Sequence, residues 1–102
     1  MNAKQTTRGH AVRCARVHLD GRVQGVGFRQ TTCLVARGYR IVGYVKNLQD
    51  GSVELMAQGE QIEVLNFLDA LRAQAIFRFV RQEDLNWLET TQEFDRFEIR
   101  YG

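Results

Sequence analysis

"IVGYVKNLQDGSVELMAQ", residues 41–58, sets two runs rich in β-branched and aromatic residues on either side of an Asp50-Gly51 pair. Asp-Gly between alternating apolar runs is a strong short-range hairpin signal, because the glycine reaches backbone angles closed to other residues. The stretch predicts two antiparallel strands, Ile41 to Leu48 and Ser52 to Gln58. Asn47 lies near the end of the first, where asparagine is disfavoured, and by parity it shares a face with Val45 and Gly43. An uncharged amide in that place has two readings: it starts the turn, or it holds a water molecule by accepting from one partner and donating to another, without serving as a base.

Working back from the hairpin, Phe28, Thr32, Val35 and Tyr39 recur at helical spacing, which predicts a helix from Phe28 to about Tyr39. Before it, "CARVHLDGRV" (residues 14–23) alternates Val17 and Leu19 with Arg16, His18 and Asp20, the pattern of a half-buried strand. Forward from the hairpin, "EQIEVLNFLDALRA" (residues 60–73) places Ile62, Leu65, Leu68 and Leu71 on one helical face. "AIFRFVRQ" (residues 75–82) and "RFEIRY" (residues 96–101) read as the fourth strand and a short fifth, separated by a polar segment around Trp87. The order β-α-β-β-α-β is that of an α+β ferredoxin-like sandwich, an antiparallel sheet with two helices on one face.

The 102-residue chain is expected to form one domain over residues 13–102, after a polar lead-in at 1–12. Charge is divided unevenly, with +8 on residues 1–46 and −6 on residues 47–102. The basic residues are scattered among apolar ones, and the aromatic RNA-binding signature is missing, so nucleic acid is not expected as a partner. No apolar run approaches the roughly 20 residues of a membrane helix, and no secretory leader is visible, so a cytoplasmic monomer is expected. Cys14 and Cys33 lack metal-site or redox spacing and are expected as free thiols. His10 and His18 have no histidine spaced to share a metal, and no cofactor or metal is expected.

Between the first strand and the first helix lies "GRVQGVGFR", residues 21–29. Gly21, Gly25 and Gly27 let a chain point several N–H groups at one place, beside a helix N-terminus that already favours negative charge. Arg29 adds a cation to that first turn, unfavourable unless an anion offsets it, and its planar fork can bind two oxygens at once. This is neither a Walker loop nor a dinucleotide fingerprint. The competing reading is a plain glycine turn with an exposed arginine.

"GRVQGVGFR" and "GYVKNLQDGSVELMAQG" (residues 43–59), taken together, closely resemble the two signatures of the acylphosphatase family. The resemblance extends from about Arg13 to Tyr101. It implies metal-free hydrolysis of small acyl phosphates to a carboxylate and inorganic phosphate. It also implies a phosphoryl group bound by Arg29 and the backbone N–H groups of Gln24, Gly25, Val26, Gly27 and Phe28, and a water positioned by Asn47. Two departures stand out, Arg40 where the family ends its first helix on glycine and Gly38 inside the expected helix. The alternative that the resemblance leaves is a non-catalytic module for phosphate or carbamoyl phosphate, although an end at Gly102, just past the last strand, favours a free-standing enzyme.

Overall fold

The computed structural model describes residues 11–101. The lead-in expected at 1–12 falls almost wholly outside these residues, as does His10. The elements are β1 (Val12–Gly21), α1 (Phe28–Ala36), β2 (Ile41–Asn47), β3 (Val53–Glu60), α2 (Gln61–Arg72), a 3-10 turn (Ala75–Phe79), β4 (Val80–Trp87) and β5 (Phe97–Arg100). The strands form one sheet in the order β4-β1-β3-β2-β5. Four strands pair antiparallel and β5 joins β2 in parallel, so the expected fifth strand exists and makes the sheet mixed.

Pleating decides what faces the helices. Ala15, Val17 and Leu19 of β1, Val45 of β2, and Val53, Leu55 and Ala57 of β3 turn to one side and are buried against Phe28 of α1 and Val64, Phe67, Leu68 and Leu71 of α2. Each fully buried Leu, Val or Phe stabilises the fold by about 1.5–3 kcal/mol relative to an exposed one. This is the alternation predicted for β1. The α2 face is rotated from the one expected: Val64 and Phe67 point inward with Leu68 and Leu71, whereas Ile62 is exposed. Ile62 stands in the first turn and is left exposed, although its spacing matches that of Leu65 and Leu68.

Three further boundaries differ from expectation. Helix α1 stops at Ala36 with Arg37 as its C-cap, so Gly38 lies past the end and not inside it. "AIFRF" is a 3-10 turn, and β4 begins only at Val80 and runs through the polar residues to Trp87. Its Leu85 and Trp87 pack on the core while the alternate residues face solvent, a half-buried edge strand whose polar face hid it from the sequence. The chain from Leu88 to Arg96 then crosses the outer face of the sheet. It is pinned by Gln58, which donates to the Gln92 carbonyl at 2.8 Å and accepts from the Gln92 N–H at 2.8 Å, and by Phe94 against the Tyr44 ring at 5.9 Å. Tyr44 also donates to Glu54, and burial followed by that bond pushes its hydroxyl up to about 12.

Gly43 is a strand position where the sheet requires glycine. Its φ is +142°, and a Cβ there would stand 1.9 Å from the Met56 carbonyl oxygen on β3. Both atoms belong to backbone held in the ladder, so neither can give way. Gly43→Ala is therefore expected to cost at least about 3 kcal/mol of stability, read as a lowered urea midpoint with an unchanged slope.

Candidate active site

The chain leaves β1 at a register shift between Asp20 and Gly21, anchored by the Arg22 N–H donating to the Phe79 carbonyl at 3.0 Å. It then curls through Gly25 (φ +77°) and Gly27 (φ +83°) into α1. Gly27 is the N-cap, in a left-handed conformation, and it offers no side-chain oxygen to the first turn. A serine, threonine or aspartate there would satisfy one of those N–H groups. As it is, the first helical bond is from Thr31 N–H to the Gly27 carbonyl. The N–H groups of Phe28, Arg29 and Gln30 precede it and have no carbonyl within the helix to reach.

Two anchors hold this loop in shape. Phe28 is buried under the sheet's helix side, and Thr32 donates to its carbonyl at 2.8 Å. The Gln24 amide donates to the carbonyls of both Leu48 and Ser52 at 2.8 Å, tying the loop to the β2–β3 turn. That turn is itself closed by Leu48 N–H to the Ser52 carbonyl and by Asp50, whose carboxylate accepts from the Ser52 hydroxyl and N–H and is held below its usual range by those bonds. The resemblance assigned Gln24 a backbone role, and the tie made by its side chain was missed. Gln24→Ala is expected to weaken competitive inhibition by inorganic phosphate by about tenfold, with a stability loss near 1 kcal/mol, since two part-buried hydrogen bonds that shape the loop are lost.

The loop, α1 and the end of β2 enclose a hollow of about 150 Å³ lined by Gly25, Gly27, Phe28, Arg29, Gln30 and Asn47, with Val23, Ile99 and Tyr101 completing the wall. Arg29 and Asn47, from different elements, thus meet in one place. The Arg29 guanidinium lies over the Tyr101 ring, 5.1 Å from its centroid, which leaves its N–H edge free to bind an anion. Asn47 pairs with Val53 at the end of the β2–β3 ladder. Its Oδ1 is the one buried side-chain polar atom without a hydrogen-bond partner among the described residues. Leaving such a group unpaired costs about 1–3 kcal/mol, and the expense is explained if a ligand or water completes the bond.

Of the residues anticipated for this site, Gly25, Gly27, Phe28, Arg29 and Asn47 line the hollow. Gln24 and Val26 do not: the first turns its amide to the hairpin and the second packs on the core. Val23, Gln30, Ile99 and Tyr101 were not anticipated. Parity with Phe97 could have pointed to Ile99, but nothing local marks Tyr101. His18 sits on the opposite face of the sheet, and Cys14 and Cys33 are unpaired thiols. Among the described residues no group of three His, Cys, Asp or Glu side chains is gathered for a metal ion.

A cationic, N–H-rich hollow on a ferredoxin-like α+β sandwich has the chemistry that suits an anion such as a phosphoryl group. The acylphosphatase family model matches residues 15–99. An acylphosphatase of Lactobacillus gasseri is 40% identical over 84 residues, 81% of this chain and 92% of that protein. One from Archaeoglobus fulgidus is 40% identical over 85 residues, 83% of this chain and 94% of its own length. The crystal structure of the Bacillus subtilis acylphosphatase superposes with a TM-score of 0.79 at 33% identity, covering 89% of this chain and all of that one. Full-length HypF shares the fold, with a TM-score of 0.80 at 23% identity over 12% of its length. The chain belongs to the acylphosphatase family.

Proposed function

We propose that the protein hydrolyses the carboxyl-phosphate bond of small acyl phosphates, with the loop and Arg29 as the phosphoryl cradle and Asn47 as the water-positioning group. The observation that carries this reading is that Arg29 and Asn47 line a single hollow and that the Asn47 Oδ1 is buried without a partner. At about 150 Å³ the hollow has room for a phosphoryl group and a water, whose share of liquid volume is about 30 Å³.

The chemistry asks little covalent work of the protein. An acyl phosphate has a good leaving group, and charge in a loose phosphoryl-transfer transition state spreads over the oxygens. Fixed donors and positive potential that strengthen as this charge develops lower the barrier without moving. Arg29 supplies two donors in one plane, and the first-turn N–H groups of α1 supply others, backed by the helix dipole. Asn47 accepts a hydrogen bond from the attacking water and so fixes its lone pair toward phosphorus. An amide takes no proton, so the proton of that water passes to an oxygen of the substrate.

The reading includes a monomer acting in the cytoplasm, in keeping with the free thiols of Cys14 and Cys33. The experiment is phosphate release from benzoyl phosphate, with and without chelator. Turnover that is unchanged by chelator is expected. A folded protein that binds phosphate and does not turn over benzoyl phosphate contradicts the enzyme reading.

A further inference from the structure

A second hollow, of about 630 Å³, adjoins the first, and the two share Ile99 and Tyr101 as a common wall. Its other side is α1. Arg29, Cys33 and Arg37 are spaced four residues apart and therefore lie along one stripe of that helix and its C-cap, about 12 Å from end to end. Arg29 lines the first hollow, while Cys33 and Arg37 line the second. The middle of the trough is apolar, with Ile99 and Phe97 from β5 facing Cys33.

Its far end carries charge. Arg37, Arg96 and Asp95 all line it. Arg96 is engaged with Glu98 at 3.3 Å. Arg37 is exposed and has no ion-pair or hydrogen-bonding partner for its guanidinium among the described residues. A cation at a helix C-terminus is favourable on its own account, which explains its presence there but not its position at the end of a trough that opens from the phosphoryl cradle.

We propose that this trough receives the acyl part of the substrate, and that Arg37 gives the enzyme a preference for acyl phosphates bearing a carboxylate at the end remote from the phosphoryl group. The proposal rests on the first hollow being the acyl phosphate site. With phosphorus at Arg29, a route walled in part by apolar groups leads past Ile99 and Tyr101, along the helical stripe to Arg37. A carbon skeleton of aromatic-ring length crosses the apolar middle, and its terminal carboxylate meets the unpaired guanidinium. Arg37 would be a specificity residue, remote from the reacting atoms, so its contribution belongs to binding of the extended substrate.

The test compares benzoyl phosphate with 4-carboxybenzoyl phosphate for wild type, Arg37→Gln and Arg40→Gln. Arg40 is exposed near the same end of the helix and does not line the trough, so its variant removes the same charge as a control. Wild type and Arg40→Gln are expected to favour the carboxylated substrate by about fivefold or more in kcat/KM, mainly through KM. Arg37→Gln is expected to lose that preference while turning over benzoyl phosphate within about twofold of wild type. A wild type that hydrolyses both substrates equally, or a preference that survives Arg37→Gln, overturns the proposal and leaves the hydrolase reading standing. A wild type that hydrolyses neither overturns both.

Discussion

Arg29→Ala is expected to lower kcat/KM for benzoyl phosphate by at least a hundredfold while leaving the protein folded. Removing one preorganised donor from an oxyanion-type site typically costs about a hundred- to a thousandfold, and Arg29 contributes two donors and a full charge. The stability cost should stay below about 1 kcal/mol, because the side chain is half-exposed and its visible contact is the stacking on Tyr101, itself largely exposed. Arg29→Lys separates charge from geometry. A lysine restores a point charge without the planar fork, so most of the loss should remain. Near-full activity in the lysine variant would mean that only net charge matters; near-full activity in the alanine variant would remove Arg29 from the cradle altogether.

Asn47→Ala should show the opposite balance of effects. In its proposed role the amide touches the water and not the phosphoryl group, so kcat should fall about a hundredfold with KM little changed. Stability should be unchanged or raised by up to about 1 kcal/mol, because the substitution removes a buried acceptor that has no partner. Thermal unfolding and steady-state kinetics on the same preparation check both. An Asn47→Ala protein that keeps its activity and loses about 2 kcal/mol would assign Asn47 to the hairpin turn instead.

The two residues were legible in the sequence for different reasons. Arg29 was visible as a cation placed against a helix N-terminus, an electrostatic cost that requires an anion. Asn47 was visible as an amide at a strand end, and parity with Val45 put it on the helix side of the sheet, where the structure has it facing the loop. That the two meet was not legible from either motif alone. It depends on β2 lying beside β5 with α1 packed across them, and on Gln24 tying loop to hairpin.

The misreadings have physical causes. "AIFRFV" has the composition of a strand, yet the chain needs a turn there to bring Val80 beside Gly21, so β4 starts later and uses polar residues at an exposed edge. The expected α2 stripe included Ile62 because periodicity records spacing and not the extent of the surface to be covered. Nothing in the sequence links Gln58 with Gln92, and their paired hydrogen bonds form only when the connection between β4 and β5 is laid over the sheet. Tyr101 lies just beyond β5, and nothing near it in sequence announces Arg29.

The central claim is that water attacks phosphorus inside the cradle. It is tested most directly by letting wild-type protein hydrolyse benzoyl phosphate in water enriched in the heavy oxygen isotope and finding the label by mass spectrometry. Attack at phosphorus by the water held at Asn47 predicts one labelled oxygen in the released phosphate and none in benzoate. Label in the benzoate would place the attack at the acyl carbon and contradict the assignment of both Arg29 and Asn47.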